Sequence, residues 1–410
     1  MKKLLGLALI LALAATMLAV PAVAETQEVK LWTLFTGDDG QILQGIVDAY
    51  NASQDTYRVN HEAIDRQELY QKLALAMGDE SALPNFFVTY SYDVPYFVKL
   101  NYIQPMDDTL AAYPDFDFGF DKYHEACESL NTYDDHRYCV SLDFPTWGMY
   151  VNTALAEQYC PDEIADDIIT WDEIMAIGAR LAEQGVDDMK VLVVGWPRND
   201  MLASYIDFAG TYASEDGTEL VLDKDAAAQA QRVWKDAYDA GYLQQEGDDS
   251  MTLFSLEEAI FFTGGTWNMS AINEYGFDFK FIPGPQKDTE GDPVLFGASH
   301  SFMMPKRANT EGEQLAMADF MHYFWEHSID WAKAGSIVAS RETAASDEYQ
   351  AMPQAFVSNN YGISNPAYTY AQILFDVCDS LGLEAVYGRI TPEEYAESWE
   401  KQTLEKVAAQ

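Results

Sequence analysis

The sequence predicts an α/β protein with two lobes, each a mainly parallel sheet flanked by helices, and with chain segments exchanged between the lobes. Segments of period two and period 3.6 alternate through the first third of the chain, a pattern typical of strand–helix units. A chain of 410 residues, 48% hydrophobic, has enough material for two cores. Because no internal repeat or low-complexity linker divides the chain, we expect exchanged segments rather than two successive domains.

The first three strand–helix units follow one another closely. Residues 29–35 alternate as a strand and lead into Thr36 and Asp38, which favour a helix start. The next helix carries Ile42, Leu43, Ile46, Val47 and Tyr50 on one face. The same pattern predicts strands at 57–64 and 85–90, each followed by a helix, at about 67–77 and 94–100.

The second lobe is predicted from a new series of segments. Strands are expected at 139–142, 149–152 and 191–195. Thr170 and Glu173 form a capping box, in which both side chains satisfy free backbone donors at a helix start. Apolar helices are expected to fill much of 226–262, 312–334 and 366–382.

The first 24 residues have the layout of a secretory signal. Lys2 and Lys3 precede an apolar run from residue 4 to 20, and Ala22-Val23-Ala24 supplies small residues for cleavage after Ala24. The segment contains no cysteine, so it does not support a lipid anchor. We therefore expect a secreted protein, periplasmic or associated with the cell surface.

Charge and cysteine content limit the partners. Lys and Arg number 24 against 67 Asp and Glu, a net charge of −43, which argues against nucleic acid or an anionic membrane as a partner and leaves a polycation possible. The four cysteines are compatible with up to two disulfides in an exported chain, and Cys127 with Cys139 is the most local pair. Their connectivity stays open, and no C-x-x-C spacing suggests a metal or redox centre.

The sequence carries no recognisable enzyme motif. G-x-S-x-G, H-E-x-x-H, the P-loop and a glycine-rich dinucleotide motif are all missing from it. We expect no catalytic residue, no metal and no cofactor. A secreted glycoside hydrolase remains an alternative, since it needs only two carboxylates that converge in space.

Loops that follow predicted strands hold aromatic and polar side chains. Ligands of open α/β sheets bind at the carboxyl ends of strands. Sugars need flat apolar rings beside hydrogen-bonding groups, and these loops offer both. The candidate binding residues are Phe35, Thr36, Asp38, Tyr90, Tyr92, Asp143, Trp147, Trp267, Asn268 and His300.

Six segments follow one another along the chain: VKLWTLFTGDDGQILQGIVDAYN, SLDFPTWGMYVNTAL, TWDEIMAIGARL, EEAIFFTGGTWNMSAI, FIPGPQ and FGASHSFMMPK. In this order they resemble the bacterial extracellular solute-binding proteins of family 1, the maltose-binding-protein-like sugar receptors of ABC transporters. The resemblance implies a type II-like periplasmic-binding-protein fold with a hinge. The lobe boundaries are then 25–138 plus about 297–335, and 139–296 plus about 336–410.

The resemblance also implies roles for single residues. Asp143 falls where family members have a ligand-contacting carboxylate, and Trp267 where they have a stacking Trp. Arg341 is a further candidate, in a late segment where Ala339 and Ser340 replace the family's common Pro. Ser141 stands where a Pro is usual, and Glu257 where a Gly is usual. These departures leave the particular sugar open.

The function implied is that of a monomeric receptor that captures a carbohydrate, expected to be an oligosaccharide, between its lobes and delivers it to the membrane permease of an ABC importer. The main alternative is a polyamine or cation receptor of the same fold. A third hypothesis is a receptor that serves a sensor kinase instead of a permease.

Overall fold

The computed structural model describes residues 26–113, 118, 120–128, 131–186, 188–290, 293 and 295–410. The predicted signal segment lies outside these residues. The strands are β1 Gln27–Thr33, β2 Tyr57–Ala63, β3 Phe86–Tyr90, β4 Ile103–Gln104, β5 Thr132–Tyr133, β6 His136–Arg137, β7 Cys139–Asp143, β8 Trp147–Asn152, β9 Lys190–Val194, β10 Ala259–Gly265, β11 Phe279–Ile282, β12 Leu295–Phe296, β13 His300–Pro305 and β14 Ile363–Ser364.

Helices alternate with the strands from β1 to β4 and occur in consecutive groups later in the chain. They are α1 Asp38–Ser53, α2 Arg66–Ala76, α3 Val94–Lys99, α4 Asp107–Ala111, α5 Glu125–Glu128, α6 Thr153–Tyr159, α7 Trp171–Glu183, α8 Pro197–Ala209, α9 Lys224–Asp239, α10 Ser250–Ser255, α11 Met269–Asn273, α12 Glu311–Glu326, α13 Ser328–Ala332, α14 Arg341–Ala344, α15 Asp347–Gln350, α16 Pro353–Asn360, α17 Ala371–Val386 and α18 Pro392–Ala408. Single 3-10 turns lie at Ser91–Asp93 and Thr266–Asn268, among others.

Two sheets form the centres of two lobes. The first sheet has the order β2-β1-β3-β13-β4, with β7 paired to β13. The second has the order β11-β8-β10-β9. Both are mixed, because β13 and β8 run antiparallel to their neighbours while β1–β2, β1–β3 and β9–β10 are parallel.

Local sequence signals account for the helix starts. In α7 the Thr170 side chain accepts from the backbone of Glu173 while the Glu173 carboxylate accepts from the Thr170 backbone, so the predicted capping box is confirmed. The buried face of α1 contains Leu43, Ile46, Val47 and Tyr50, as the helical period predicts, whereas Ile42 is only partly buried.

Three chain crossings join the lobes side by side. β7 runs into β8 through residues 144–146, β12 runs into β13 through 297–299, and residues 333–340 lead from α13 to α14. Backbone hydrogen bonds connect them: Phe144 N donates to Ile337 O (2.6 Å) and Ala298 N donates to Pro145 O (3.1 Å). A Cβ on Gly297 would lie 2.9 Å from Pro145 O, so glycine allows this close approach.

The lobe boundaries remain a prediction, and one strand bears on them. β7 pairs with β13 over Cys139 to Asp143, which places it in the first sheet, after the boundary expected at residue 138. The chain returns to this sheet with β13, which begins at His300.

Two expectations need correction. The predicted helical tract 226–262 ends in a strand, since residues 259–265 form β10, which is buried along its whole length. A short continuous apolar run does not distinguish a buried strand from a helix.

The four cysteines form no disulfide: Cys127, Cys139, Cys160 and Cys378 are all buried free thiols. No described helix is long and apolar enough to cross a membrane.

Candidate functional site

A cavity of about 840 Å³ lies between the two lobes. The first lobe contributes the segments after β1, β2 and β3, at residues 34–39, 65–67 and 90–92. The second contributes those after β9 and β10, at 196–199 and 267–271, together with part of α17. The strand-end loops therefore meet at one site, as expected for the carboxyl ends of parallel strands.

Aromatic rings of the first lobe form one wall of the cavity. Tyr90 and Tyr92 stack with ring centroids 4.9 Å apart and planes 8° apart. Both line the cavity, whereas Ser91 between them is buried. Phe35 packs edge-on against His300 (4.9 Å) and also contacts Trp331 (4.9 Å).

Tryptophans of the second lobe form the opposite wall. Trp147 lies 5.4 Å from Trp267, centroid to centroid, and Trp196 lies 6.3 Å from Trp267. Trp267 folds back over the end of β10, where a Cβ on residue 265 would lie 2.1 Å from its ring. Gly265 thus leaves the space that the indole of Trp267 occupies.

A buried carboxyl group holds one of these indoles. Trp147 Nε1 donates to Asp200 Oδ1 at 2.9 Å, and Asp200 is 3% exposed. Its Oδ2 has no hydrogen-bond partner among the described residues. Burial raises the pKa of Asp200 to about 8, so the neutral acid is the form that predominates at neutral pH.

Charged side chains of both signs reach the cavity. Asp38, Asp39, Arg66 and Arg198 line it, together with Asp379 of α17. Burial raises the pKa of Asp39, whose Oδ1 accepts from the backbone N–H groups of residues 37 and 40.

The two arginines differ in their partners. Arg66 pairs with Asp376 across the lobes at 3.8 Å. Arg198 donates to Asn199 Oδ1 at 3.1 Å and has no ion-pair partner within the described chain. Its guanidinium therefore has donors available to a ligand.

The structure places two of the predicted site residues away from the cavity surface. Asp143 is fully buried behind His300 and does not line the cavity. Arg341 begins α14, where its Nε donates to Tyr123 O, and its side chain is exposed elsewhere on the surface. The other candidates all line the cavity: Phe35, Thr36, Asp38, Tyr90, Tyr92, Trp147, Trp267, Asn268 and His300.

Sequence reasoning missed several lining residues. Trp196 and Arg198 follow β9 directly, so the strand-end argument that selected the other loops would have found them. Trp331 was not among the candidates; it is 1% exposed, yet its indole also forms part of the cavity wall. No local signal marks Phe375 or Asp379, which come from the middle of α17.

The profile of a family described as bacterial extracellular solute-binding protein matches residues 45–357. No curated protein matches the chain. Solved structures match over most of its length at low identity, which shows the fold.

One match is the maltose/maltodextrin-binding domain from Bdellovibrio bacteriovorus bound to maltotriose, with a TM-score of 0.77, 16% identity, and coverage of 93% of this chain and 100% of that one. Another is an ABC substrate-binding protein from Listeria monocytogenes in complex with cycloalternan (0.78, 14%, 93% and 99%). A third is the GacH receptor of Streptomyces glaucescens, solved unliganded and with acarbose (0.77, 15%, 92% and 97%).

Proposed function

The chain belongs to the bacterial extracellular solute-binding protein family, and from that premise we propose that it captures a carbohydrate in the cavity between its lobes and passes it to the permease of an ABC importer. The observation that carries the proposal is the composition of the cavity walls. Stacked tyrosines and a pair of tryptophans line a cavity of about 840 Å³, together with carboxylate, guanidinium, amide and imidazole groups.

Such a cavity suits a sugar for two physical reasons. The C–H faces of a pyranose pack on flat aromatic rings, and its hydroxyls exchange hydrogen bonds with charged and amide groups. The volume is that of a small-molecule site and is large enough for several sugar rings. The solved relatives named above bind maltotriose, cycloalternan and acarbose, which supports the same ligand class here.

A polyamine is the competing ligand class, because Asp38, Asp39 and Asp379 also line the cavity. Arg198 weighs against it. A guanidinium with no carboxylate partner among the described residues repels an ammonium group in the same cavity but donates readily to hydroxyl oxygens.

Isothermal titration calorimetry with maltotriose, xylotriose, mannotriose and spermidine tests the ligand class. We expect heat from at least one oligosaccharide. Heat from spermidine alone would replace the sugar proposal with the cation receptor.

The matched variants are Trp267→Ala and Trp325→Ala. Both remove a partly buried indole, but Trp325 packs on Tyr123 away from the cavity. Trp267→Ala should lower the affinity for the active sugar at least tenfold, about 1.4 kcal/mol. Trp325→Ala should leave that affinity within about twofold, and equal losses in both variants would refute a stacking role for Trp267.

We further infer that the protein binds its sugar without hydrolysing it and acts as a monomer. We also infer that it acts outside the cytoplasm after its signal peptide has been cleaved behind Ala24. Its family is one of binding proteins. Purified protein incubated with the active oligosaccharide should release no reducing ends. N-terminal sequencing of exported protein should begin at Glu25, and the mass by light scattering should be that of one chain.

A further inference from the structure

One buried carboxylate organises two side chains of the cavity wall. Asp143 is 0% exposed, and its Oδ2 accepts from Trp331 Nε1 at 2.7 Å. Its Oδ1 accepts from His300 Nδ1 at 3.0 Å and from His300 N at 3.2 Å. Three donors thus converge on this carboxylate, and two of them belong to rings that line the cavity.

The strand register brings these groups together. His300 opens β13 and lies opposite Asp143 of β7 on one side and Tyr90 of β3 on the other. Its ring lies 4.9 Å from those of Tyr90 and Phe35, so neighbours on several sides fix its orientation. A ring held in this way is preorganised for its ligand contact.

The hydrogen bond to Asp143 determines which ring nitrogen faces the ligand. With Asp143 as a carboxylate, which can only accept, this contact requires the proton on Nδ1 of His300. Nε2 then lies on the far side of the ring, and no hydrogen bond joins it to a described residue. In the neutral imidazole this nitrogen is an acceptor.

On the premise of the proposed function, we propose that Asp143 is a positioning residue: it holds His300 as the Nδ1–H tautomer and presents Nε2 to the cavity as the acceptor for a ligand hydroxyl. Asp143 itself does not touch the ligand. A sugar without a free hydroxyl at this place then leaves Nε2 unpaired, so Asp143 and His300 together determine specificity.

Asp143→Asn is a demanding test, because the amide has only one acceptor oxygen. Facing Trp331, the NH₂ group would oppose an indole N–H that can only donate. Facing His300, it opposes the backbone N–H but can donate to Nδ1 once the ring proton has moved to Nε2, so this second orientation is the one we expect. We therefore expect the substitution to shift His300 toward the Nε2–H tautomer, which offers a donor to the cavity instead of an acceptor.

The measurement is the long-range ¹H–¹⁵N spectrum of the imidazoles in ligand-free protein at pH 8. The His300 signal is assigned by its loss in His300→Gln. In the wild type, Nδ1 should show the shift of a protonated ring nitrogen and Nε2 that of an unprotonated one. Asp143→Asn should move the two shifts toward each other or exchange them.

Trp331→Phe is the control variant, and it also serves if Asp143→Asn fails to fold. It removes one donor from Asp143 and leaves the His300 contacts in place, so the tautomer should stay as in the wild type. Asp143→Asn should also weaken the sugar identified by calorimetry at least tenfold. An Nε2–H tautomer in the wild type, or an unchanged tautomer in folded Asp143→Asn, would overturn the proposal.

The two proposals fail separately. If none of the three oligosaccharides gives heat, the carbohydrate proposal is refuted, while the ¹⁵N shifts of His300 in ligand-free protein still decide the role of Asp143.

Discussion

Asp200→Asn should make the protein more stable at alkaline pH and remove part of its pH dependence. The native state keeps a proton on Asp200 up to its pKa of about 8, whereas the unfolded chain releases it near the ordinary value of 3.8. Between these values the native state binds more protons than the unfolded state, so the stability of the wild type falls as pH rises. The asparagine has no such proton to hold.

The size of the stability change follows from the pH range between the two pKa values of Asp200, 3.8 in the unfolded chain and about 8 in the native state. Each pH unit inside it costs the wild type about 1.4 kcal/mol of unfolding free energy from this group alone. The advantage of Asp200→Asn over the wild type should therefore grow by roughly 3 kcal/mol between pH 5 and pH 7 and level off above pH 8. Since Asn Oδ1 still accepts from Trp147 Nε1, the indole should keep its position.

Urea unfolding followed by far-UV circular dichroism at pH 5, 6, 7 and 8 gives the required free energies. Asp236→Asn, at an exposed site on α9, is the control for loss of one negative charge. Burial also raises the pKa of Asp93 to about 7 and that of Asp207 to about 6, but both groups are present in all three proteins and cancel in the difference. If the curves of Asp200→Asn and the wild type run parallel, Asp200 does not hold a proton in the native state.

Two further predictions concern the backbone and the thiols. Glu257→Gly should raise the unfolding free energy by about 1 kcal/mol in thermal or urea melts, because Glu257 has a positive φ of 59° at the end of α10. This end resembles a Schellman motif, in which glycine is the usual residue, since Glu258 N donates to Leu253 O. A destabilised variant would mean that the hydrogen bond from Asn152 to Glu257 contributes more than the backbone strain costs. A disulfide reagent of the Ellman type should react slowly with native protein and with four thiols after unfolding in urea; a count of two or none would show that disulfides form after all.

Local signals predicted the parts of the fold that depend on neighbouring residues. The capping box of Thr170 and Glu173 and the apolar face of α1 are examples, because both are set within one or two helical turns. β10 was mistaken for helix, since its seven buried residues lie in a sheet between β8 and β9 and show no alternation.

The candidate site likewise contains residues that the sequence could predict and residues that it could not. Placement after a strand selected Phe35, Tyr90 and Trp267, because the direction of parallel strands is a property of the fold class. The role of Asp143 was not predictable, since its donors are 157 and 188 residues away in the chain. Contacts of that separation follow from the tertiary arrangement of three crossing segments, which no local pattern contains.

The central position of β13 in the first sheet has a consequence for biosynthesis. β1, β2 and β3 are complete by residue 90, but the strand that lies between β3 and β4 and also pairs with β7 spans residues 300–305. At a synthesis rate of about 5–20 residues per second, the early strands wait roughly 10–40 s for this partner. During that interval the sheet of the first lobe lacks the strand between β3 and β4, so the lobe cannot finish folding until more than two thirds of the chain has been made.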